Sequence, residues 1–203
     1  MVLTNNNTDI KFYFFTDTLD EIIKKNIKNF KKLSLIYKSN SINNTNLTNI
    51  HIIKKFCKNN KISFFVSDDF KLANKFKTDG IFLSSSYKKI GNTFLKKNNF
   101  RIIGSAHNQL EYYIKKKQLC DVIMLSPLFY NKKYSLNKIL NVCKFNLISM
   151  NWNKKICALG GINLGNFKKL RMTKSIAAAF ISLMKENNQK KSPLTISNKR
   201  AFS

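Results

Sequence analysis

The sequence predicts an α/β protein folded as a single (β/α)8 barrel, and three observations carry that prediction. Short apolar runs recur along the whole chain, each followed by a stretch of helical periodicity. The runs are apolar at nearly every position rather than alternating, as strands buried on both faces of a parallel sheet require. A length of 203 residues suits one such domain. The competing architecture, an open doubly wound sheet, wants a glycine-rich turn after its first strand, and Thr16-Asp17-Thr18 supplies none.

Taken in order, Lys11–Thr16 is an aromatic strand, followed by a helix with Ile22, Ile23, Ile27 and Phe30 on one side. Leu33–Tyr37 is the second strand, and a polar loop at residues 39–46 leads to a helix through Ile50, Ile53 and Phe56. The third strand, residues 62–66, runs into Ser67-Asp68-Asp69, which can cap a helix carrying Phe70, Leu72, Ala73 and Phe76. Gly80–Leu83 is the fourth strand; the serines at 84–86 lead to a weak helical pattern near residues 87–97. Residues 101–105 form the fifth strand, and Asn108 caps a helix with Leu110, Tyr113 and Ile114.

Val122–Leu125 is the sixth strand, its loop Ser126-Pro127-Leu128-Phe129 preceding a helix around residues 136–145. Lys155–Leu159 is the seventh strand, and residues 164–172 form an amphipathic helix after it. Residues 175–179 are the eighth strand, followed by a final helix from Phe180. Residues 1–10 read as a polar extension, 11–186 as the barrel, and 187–203 as a basic tail without a helical face.

A formal charge of +27 would ordinarily suggest nucleic acid or an anionic membrane. Here the lysines are scattered over nearly every helix, and only Arg101 and Arg171 stand outside the tail, too few arginines for bidentate base or phosphate readout. The composition therefore argues for a solvated basic surface and against a nucleic-acid partner. The four cysteines show no close pairing and read as free thiols in a reducing compartment. The polar N-terminus is no signal peptide, and no apolar run approaches the roughly 20 residues of a membrane span, so the expectation is a soluble, cytoplasmic protein; a homo-oligomer is left open.

The candidate site residues stand at strand C-terminal ends, the face on which barrels of this kind build their sites. In Ile156-Cys157-Ala158-Leu159-Gly160-Gly161-Ile162-Asn163, an apolar strand stops at two glycines, leaving backbone N–H groups open to a phosphate; paired glycines also make ordinary turns. Only ten acidic residues occur, so their placement is informative. Asp17, Asp68 and Asp69 lie at strand ends on the site face, whereas Asp79 and Asp121 precede strands at the opposite end. Asp68 can serve as ligand to a hard cation or as a helix cap, a task Asp69 can perform equally well. His107 lies just beyond the fifth strand, where it can move protons or simply be a satisfied structural group; His51 lies in a helix. Lys38, Ser105, Lys132 and Lys133 also fall at strand ends.

Together, Tyr13-Phe14-Phe15-Thr16-Asp17, Phe64-Phe65-Val66-Ser67-Asp68, Thr78-Asp79-Gly80-Ile81-Phe82-Leu83, Ile102-Ile103-Gly104-Ser105-Ala106-His107, Leu125-Ser126-Pro127-Leu128-Phe129 and Ala158-Leu159-Gly160-Gly161-Ile162 resemble, in order and spacing, the thiamine-phosphate synthase and thiazole tautomerase family. The resemblance spans residues 12–185 and implies a TIM barrel that joins hydroxymethylpyrimidine diphosphate to thiazole phosphate, with Mg2+ carrying the departing diphosphate. It implies further that Asp68 is a magnesium ligand, that Ser67 beside it binds substrate, that Lys38 is a catalytic residue contacting the diphosphate, that Ser105 touches the pyrimidine substrate, and that Gly160 and Gly161 hold the thiazole phosphate. The family's loop after the sixth strand also binds phosphate, which places Lys132 and Lys133 in that role.

The chain departs from the family pattern at Ser34 and Ile36, where Gln and Arg are usual, at Ser67, where Asn is usual, and near Tyr87, where a second metal aspartate is expected. Tyr130-Asn131-Lys132-Lys133 replaces a threonine-rich loop. Three functional readings follow: a divergent synthase, an isomerase of the tautomerase type working through His107, or a catalytically silent barrel that binds a phosphorylated ligand.

Overall fold

A computed structural model of the chain, describing residues 10–38, 44–91, 100–132 and 134–185, closes eight parallel strands into a barrel in sequence order. The strands are β1 (Lys11–Thr16), β2 (Leu33–Tyr37), β3 (Ser63–Ser67), β4 (Gly80–Leu83), β5 (Arg101–Ala106), β6 (Val122–Leu125), β7 (Lys155–Leu159) and β8 (Ala177–Phe180). Closure is made by β1 against β8, with Phe12 opposite Ala178 and Phe14 opposite Phe180. The helices are α1 (Glu21–Ile27), α2 (Asn44–Asn59), α3 (Phe70–Lys75), α4 (Gln109–Lys117) and α5 (Asn141–Asn151).

Alternation along each strand divides the core in two. The inner set contains Tyr13 and Phe15 from β1, Ile36 from β2, Phe65 from β3, Phe82 from β4, Ile103 from β5 and Met124 from β6, with Cys157, Ala177 and Ala179 from β7 and β8. Small side chains on the last two strands leave room for the rings of the others, which is how a narrow barrel fills its interior. Phe15 and Phe82 pack edge to face with centroids 4.9 Å apart. The outer set packs under the helices; there Phe12 meets Phe30 edge on at 5.1 Å and lies 5.9 Å from Phe167.

Capping follows the sequence. Asp20 Oδ1 accepts from the Ile23 N–H at 2.8 Å at the start of α1, Asp69 Oδ1 from Leu72 at 2.8 Å at α3, and Asn108 Oδ1 from Glu111 at 2.9 Å at α4. At the end of the barrel away from the site, Asp79 and Asp121 perform one task twice. Asp79 Oδ2 accepts from the Phe64 N–H at 2.8 Å, and Asp121 Oδ2 accepts from Ile102 at 2.9 Å. Each carboxylate satisfies an amide of the preceding strand, one that the ladder leaves over.

Several expected boundaries move. β3 starts and ends one residue later than predicted, and β5 extends to Ala106. β8 runs Ala177–Phe180 rather than 175–179, because Ser175 is held in a turn through its hydroxyl, 2.7 Å from that of Thr173. The helix expected at residues 136–145 is replaced by a 3₁₀ turn, Leu136–Lys138, and by α5 further along. Here the Leu140 and Asn141 amides are tied to the carbonyls of Pro127 and Leu128, both at 3.0 Å, before the helix can begin. After β7 the chain forms a 3₁₀ helix, Phe167–Met172, in place of the expected helix over 164–172, entered through a turn in which Asn163 and Asn166 exchange side-chain to backbone bonds at 2.9 and 3.1 Å.

Residues 84–91 and 181–185 hold no helix; the rest of the two helices expected there lies outside the described residues, as do Lys133, most of the 39–46 loop and the tail. Cys57, Cys120 and Cys157 are buried free thiols, and Cys143 is exposed. Burial pushes the Cys57 and Cys120 thiols up to about 12. They remain neutral packing groups at physiological pH.

Candidate functional site

A cavity of about 470 Å³ opens at the C-terminal ends of the strands. Its floor is apolar, made by Phe15, Phe82 and Leu159; its walls are hydroxyls and cations. Lys38 reaches it from the end of β2 because residues 34, 36 and 38 share one face of the strand, with Ser34 and Ile36 buried in the lumen and Lys38 emerging at the rim. Ser105 and His107 come from β5 by the same alternation, and Ser84, Ser85 and Ser86 from the turn after β4. Ser126, Asn131, Lys132 and Tyr134 follow β6, while Gly160, Gly161 and Ser182 follow β7 and β8. No carboxylate lines the cavity among the described residues.

The two glycines have left-handed backbones, with φ of +95° at Gly160 and +70° at Gly161. A Cβ on Gly161 would stand 2.3 Å from the Phe129 carbonyl oxygen, and one on Gly160 would stand 3.0 Å from Pro127 Cα. The pair therefore allows the loop after β6 to lie against the end of β7, where Leu128 and Phe129 donate to the carbonyls of Leu159 and Gly160 at 2.9 and 3.0 Å. Asn166 Nδ2 holds the Gly161 carbonyl at 2.8 Å. Close backbone approach between two loops is thus a demand on these glycines in addition to any made by a ligand.

His107 is fixed at both its backbone and its ring. Its amide donates to Glu111 Oε2 at 2.7 Å, and its Nδ1 lies 2.9 Å from the Ser126 carbonyl oxygen and 3.0 Å from the Ser126 hydroxyl. A carbonyl oxygen only accepts, so this contact assigns the proton of the neutral ring to Nδ1 and leaves Nε2 as the acceptor. Tyr134 lies beside the ring, with centroids 5.6 Å apart. Burial, reinforced by the Glu111 carboxylate, raises the Tyr134 phenol above its ordinary value and keeps it a neutral hydrogen-bonding group.

Asp68 and Ser67 do not line the cavity; they stand behind one wall of it. Asp68 has a left-handed backbone, φ +56°, its amide donates to the Phe82 carbonyl at 2.8 Å, and its Oδ1 accepts from the Ser84 N–H at 2.7 Å. Its other oxygen accepts from the Ser67 hydroxyl at 3.1 Å. The capping role falls to Asp69. Each Asp68 oxygen accepts one hydrogen bond, and no three His, Cys, Asp or Glu side chains cluster among the described residues, so a magnesium ion held by Asp68 would take its remaining ligands from water and substrate phosphate.

Lysine 115 was not among the residues that the sequence singles out. Its side chain is fully buried in α4, and its ammonium donates to the carbonyls of Ser84 and Tyr87 at 2.5 and 2.8 Å and to Gln118 Oε1 at 3.0 Å. Burial lowers its pKa, against the opposing pull of Cys120, Asp68 and Glu111. A group depressed in this way binds fewer protons folded than unfolded as pH approaches 10.5, so its contribution to stability rises with pH in that window and is lost as pH falls through its folded value. Chemical denaturation of wild type and Lys115→Met in parallel should show the difference shifting in favour of wild type as pH is raised from neutrality toward 10.5.

Comparison with known proteins decides the family. The model of the family described as thiamine monophosphate synthase matches residues 8–185. The chain belongs to the thiamine monophosphate synthase family. It is 30% identical over 202 residues to the thiamine-phosphate synthase of Pelagibacter ubique, covering 96% of this chain and 91% of the relative. It is 25% identical over 191 residues to that of Staphylococcus haemolyticus, covering 87% of this chain and 90% of the relative. Among solved structures, the thiamine phosphate pyrophosphorylase of Pyrococcus furiosus superposes with a TM-score of 0.72 at 18% identity, over 89% of this chain and 90% of that one, a likeness of fold. The chain is thus a divergent member of the thiamine monophosphate synthase family. Among its described residues, no helix is long and apolar enough to cross a membrane.

Of the residues expected at the site, Lys38, Ser105, His107, Lys132, Gly160 and Gly161 line one cavity, while Ser67 and Asp68 sit behind it and Lys133 lies outside the described residues. Sequence reasoning missed Ser84, Ser126, Tyr134 and Ser182 as lining groups. For the three serines the signal was available, since each lies one or two residues after a strand, where the rim must be; Tyr134, farther along the loop after β6, carried none.

Proposed function

We propose that the chain is a thiamine-phosphate synthase, joining hydroxymethylpyrimidine diphosphate to thiazole phosphate. The observation that carries this reading is the character of the cavity, with serine hydroxyls, Lys38 and Lys132 on its walls and no carboxylate among the described residues lining it. Such a lining favours a ligand carrying negative charge at more than one point. The loops after β7 and β8, with Gly160, Gly161 and Ser182, are assigned to the thiazole phosphate, since phosphates are held there in barrels of this kind. Ser105, Lys38 and the serines after β4 are assigned to the pyrimidine diphosphate.

In the reaction, the thiazole nitrogen attacks the methylene carbon of the pyrimidine. A C–N bond forms as the C–O bond to the diphosphate breaks, and the diphosphate departs with the bonding pair. The lysines stabilise the charge that grows on it, and the apolar floor of Phe15, Phe82 and Leu159 keeps water from the reacting carbon. Lys38→Ala should lower kcat/KM on the two substrates by about a hundredfold, the scale of removing one preorganised charged donor. Wild-type protein that makes no thiamine phosphate, and that fails to rescue a strain lacking the synthase, would sink the proposal.

One observation favours a second reading, isomerisation of the thiazole. With its proton on Nδ1, His107 has Nε2 free to accept one, as a base for such a shift needs. His107→Gln that leaves isomerisation at the wild-type rate eliminates this alternative. Binding of the phosphorylated ligands without either turnover identifies a silent barrel.

A further inference from the structure

Opposite charges hold the backbone of one residue, Ser84, in the wall of the cavity. The Ser84 N–H donates to the Asp68 carboxylate at 2.7 Å, and the Ser84 carbonyl accepts from the Lys115 ammonium at 2.5 Å. The same ammonium reaches the Tyr87 carbonyl, and Gln118, one turn along α4, donates to the carbonyls of Tyr87 and Lys89, each at 2.9 Å. Residues 84–89 form no helix, so these side chains give the segment the fixed hydrogen bonds that secondary structure would otherwise supply. Ser84, Ser85 and Ser86 are the hydroxyls this segment presents to the cavity.

The route of Lys115 to this position is built into β5. A Cβ on Gly104 would lie 2.8 Å from Lys115 Cδ and 2.7 Å from Cys120 Sγ, so the glycine opens the passage through which the lysine stem crosses the strand. At its end the ammonium meets three neutral oxygens, two carbonyls and an amide. A buried charge is costly unless hydrogen-bonded, and this one has a partner for each of its three protons.

We infer that Lys115 is a positioning residue of the cavity: its buried ammonium on the Ser84 carbonyl, with Asp68 on the Ser84 amide, sets the segment 84–89 in place and so aims the serine hydroxyls of that wall at a diphosphate. This rests on the phosphate reading of the cavity. Asp68 acquires a second role here, as the anionic half of the clamp, and that role requires no metal.

Three proteins test it: wild type, Lys115→Met, and Lys116→Met as an exposed control on the same helix. Amide exchange of residues 84–91 is measured together with affinity for inorganic pyrophosphate, well below the melting temperature. In Lys115→Met, exchange in the segment should quicken at least about tenfold while β1 and β2 keep their protection, and pyrophosphate should bind roughly tenfold more weakly. Lys116→Met should match wild type in both. Unchanged exchange in Lys115→Met overturns the clamp; quickened exchange with unchanged affinity overturns the role toward the ligand. If Lys115→Met does not fold, Gln118→Met serves, and exchange at Tyr87 to Lys89 that equals wild type overturns the clamp in the same way. Wild type that ignores pyrophosphate overturns the phosphate reading itself, an outcome that the exchange measurement keeps separate from failure of the clamp.

Discussion

Gly161→Ala should unfold more easily by roughly 2–5 kcal/mol and lose phosphate binding altogether, adding the cost of a left-handed alanine to that of overpacking. The added methyl would meet backbone, the Phe129 carbonyl oxygen at 2.3 Å and the Tyr130 carbonyl oxygen at 2.5 Å, so no rotamer change can relieve it. The loop after β6 must lift from the end of β7, breaking the Phe129 to Gly160 bond and displacing Ser126, the partner of His107. Thermal melts should fall by roughly 4–20 °C for a chain of this size. Gly165→Ala is the control: Gly165 has no left-handed strain, and its Cβ would meet only Asn163 Oδ1, at 3.3 Å. A Gly161→Ala variant as stable as the control would show that the two loops do not need their close approach.

The second large effect is a gain. Helices α2 and α3 both end in the same cap, in which the amide after the left-handed residue reaches back to a carbonyl five residues earlier: Ile62 to Cys57 at 2.9 Å and Thr78 to Ala73 at 3.1 Å. The left-handed position belongs by preference to glycine, yet here it holds Lys61 at φ +53° and Lys77 at φ +44°. Each lysine costs about 1 kcal/mol against glycine at such a site. The double variant Lys61→Gly, Lys77→Gly should therefore be more stable by about 2 kcal/mol, a rise in melting temperature of roughly 4–8 °C. Both lysines line one basic recess at the far end of the barrel, so the double variant also removes like-charge repulsion. An unchanged or lower melting temperature would contradict the assignment of strain to these caps.

The barrel was legible in the chain because buried parallel strands leave an unmistakable trace, nearly continuous apolar runs at even spacing. The helices were less so. At 164–172 the chain takes the 3₁₀ form after a turn closed by two asparagines bonded to each other's backbone, and what delayed α5 was a tie to the Pro127 and Leu128 carbonyls. Periodicity does not register either. Lys38, Ser105, His107 and the glycines were found because strand ends define the rim whatever the sequence between. Lys115 was invisible for the opposite reason: it stands in the run Lys115-Lys116-Lys117 on a chain carrying 37 lysines and arginines, and only Gly104 and Gln118, distant in sequence or generic in type, mark it as the buried one. Asp68 was found, but its chemistry was open between cation ligand and cap; it is neither cap nor part of a built cage, and its oxygens hold Ser84 and Ser67.

The seam between β1 and β8 bears on how the molecule assembles. Every other pairing joins strands that follow one another along the chain, whereas Phe12 and Ala178 come from its two ends. Contacts of short sequence separation form early, and the longest loop closes last. The cavity straddles this seam, drawing Phe15 from β1, Lys38 from β2, Gly161 after β7 and Ser182 after β8. A half-assembled barrel therefore has no complete ligand site, and a phosphorylated ligand can recognise only the closed form. By mass action it should then act as a folding cofactor, raising the population of closed barrel by an amount set by its concentration relative to its dissociation constant.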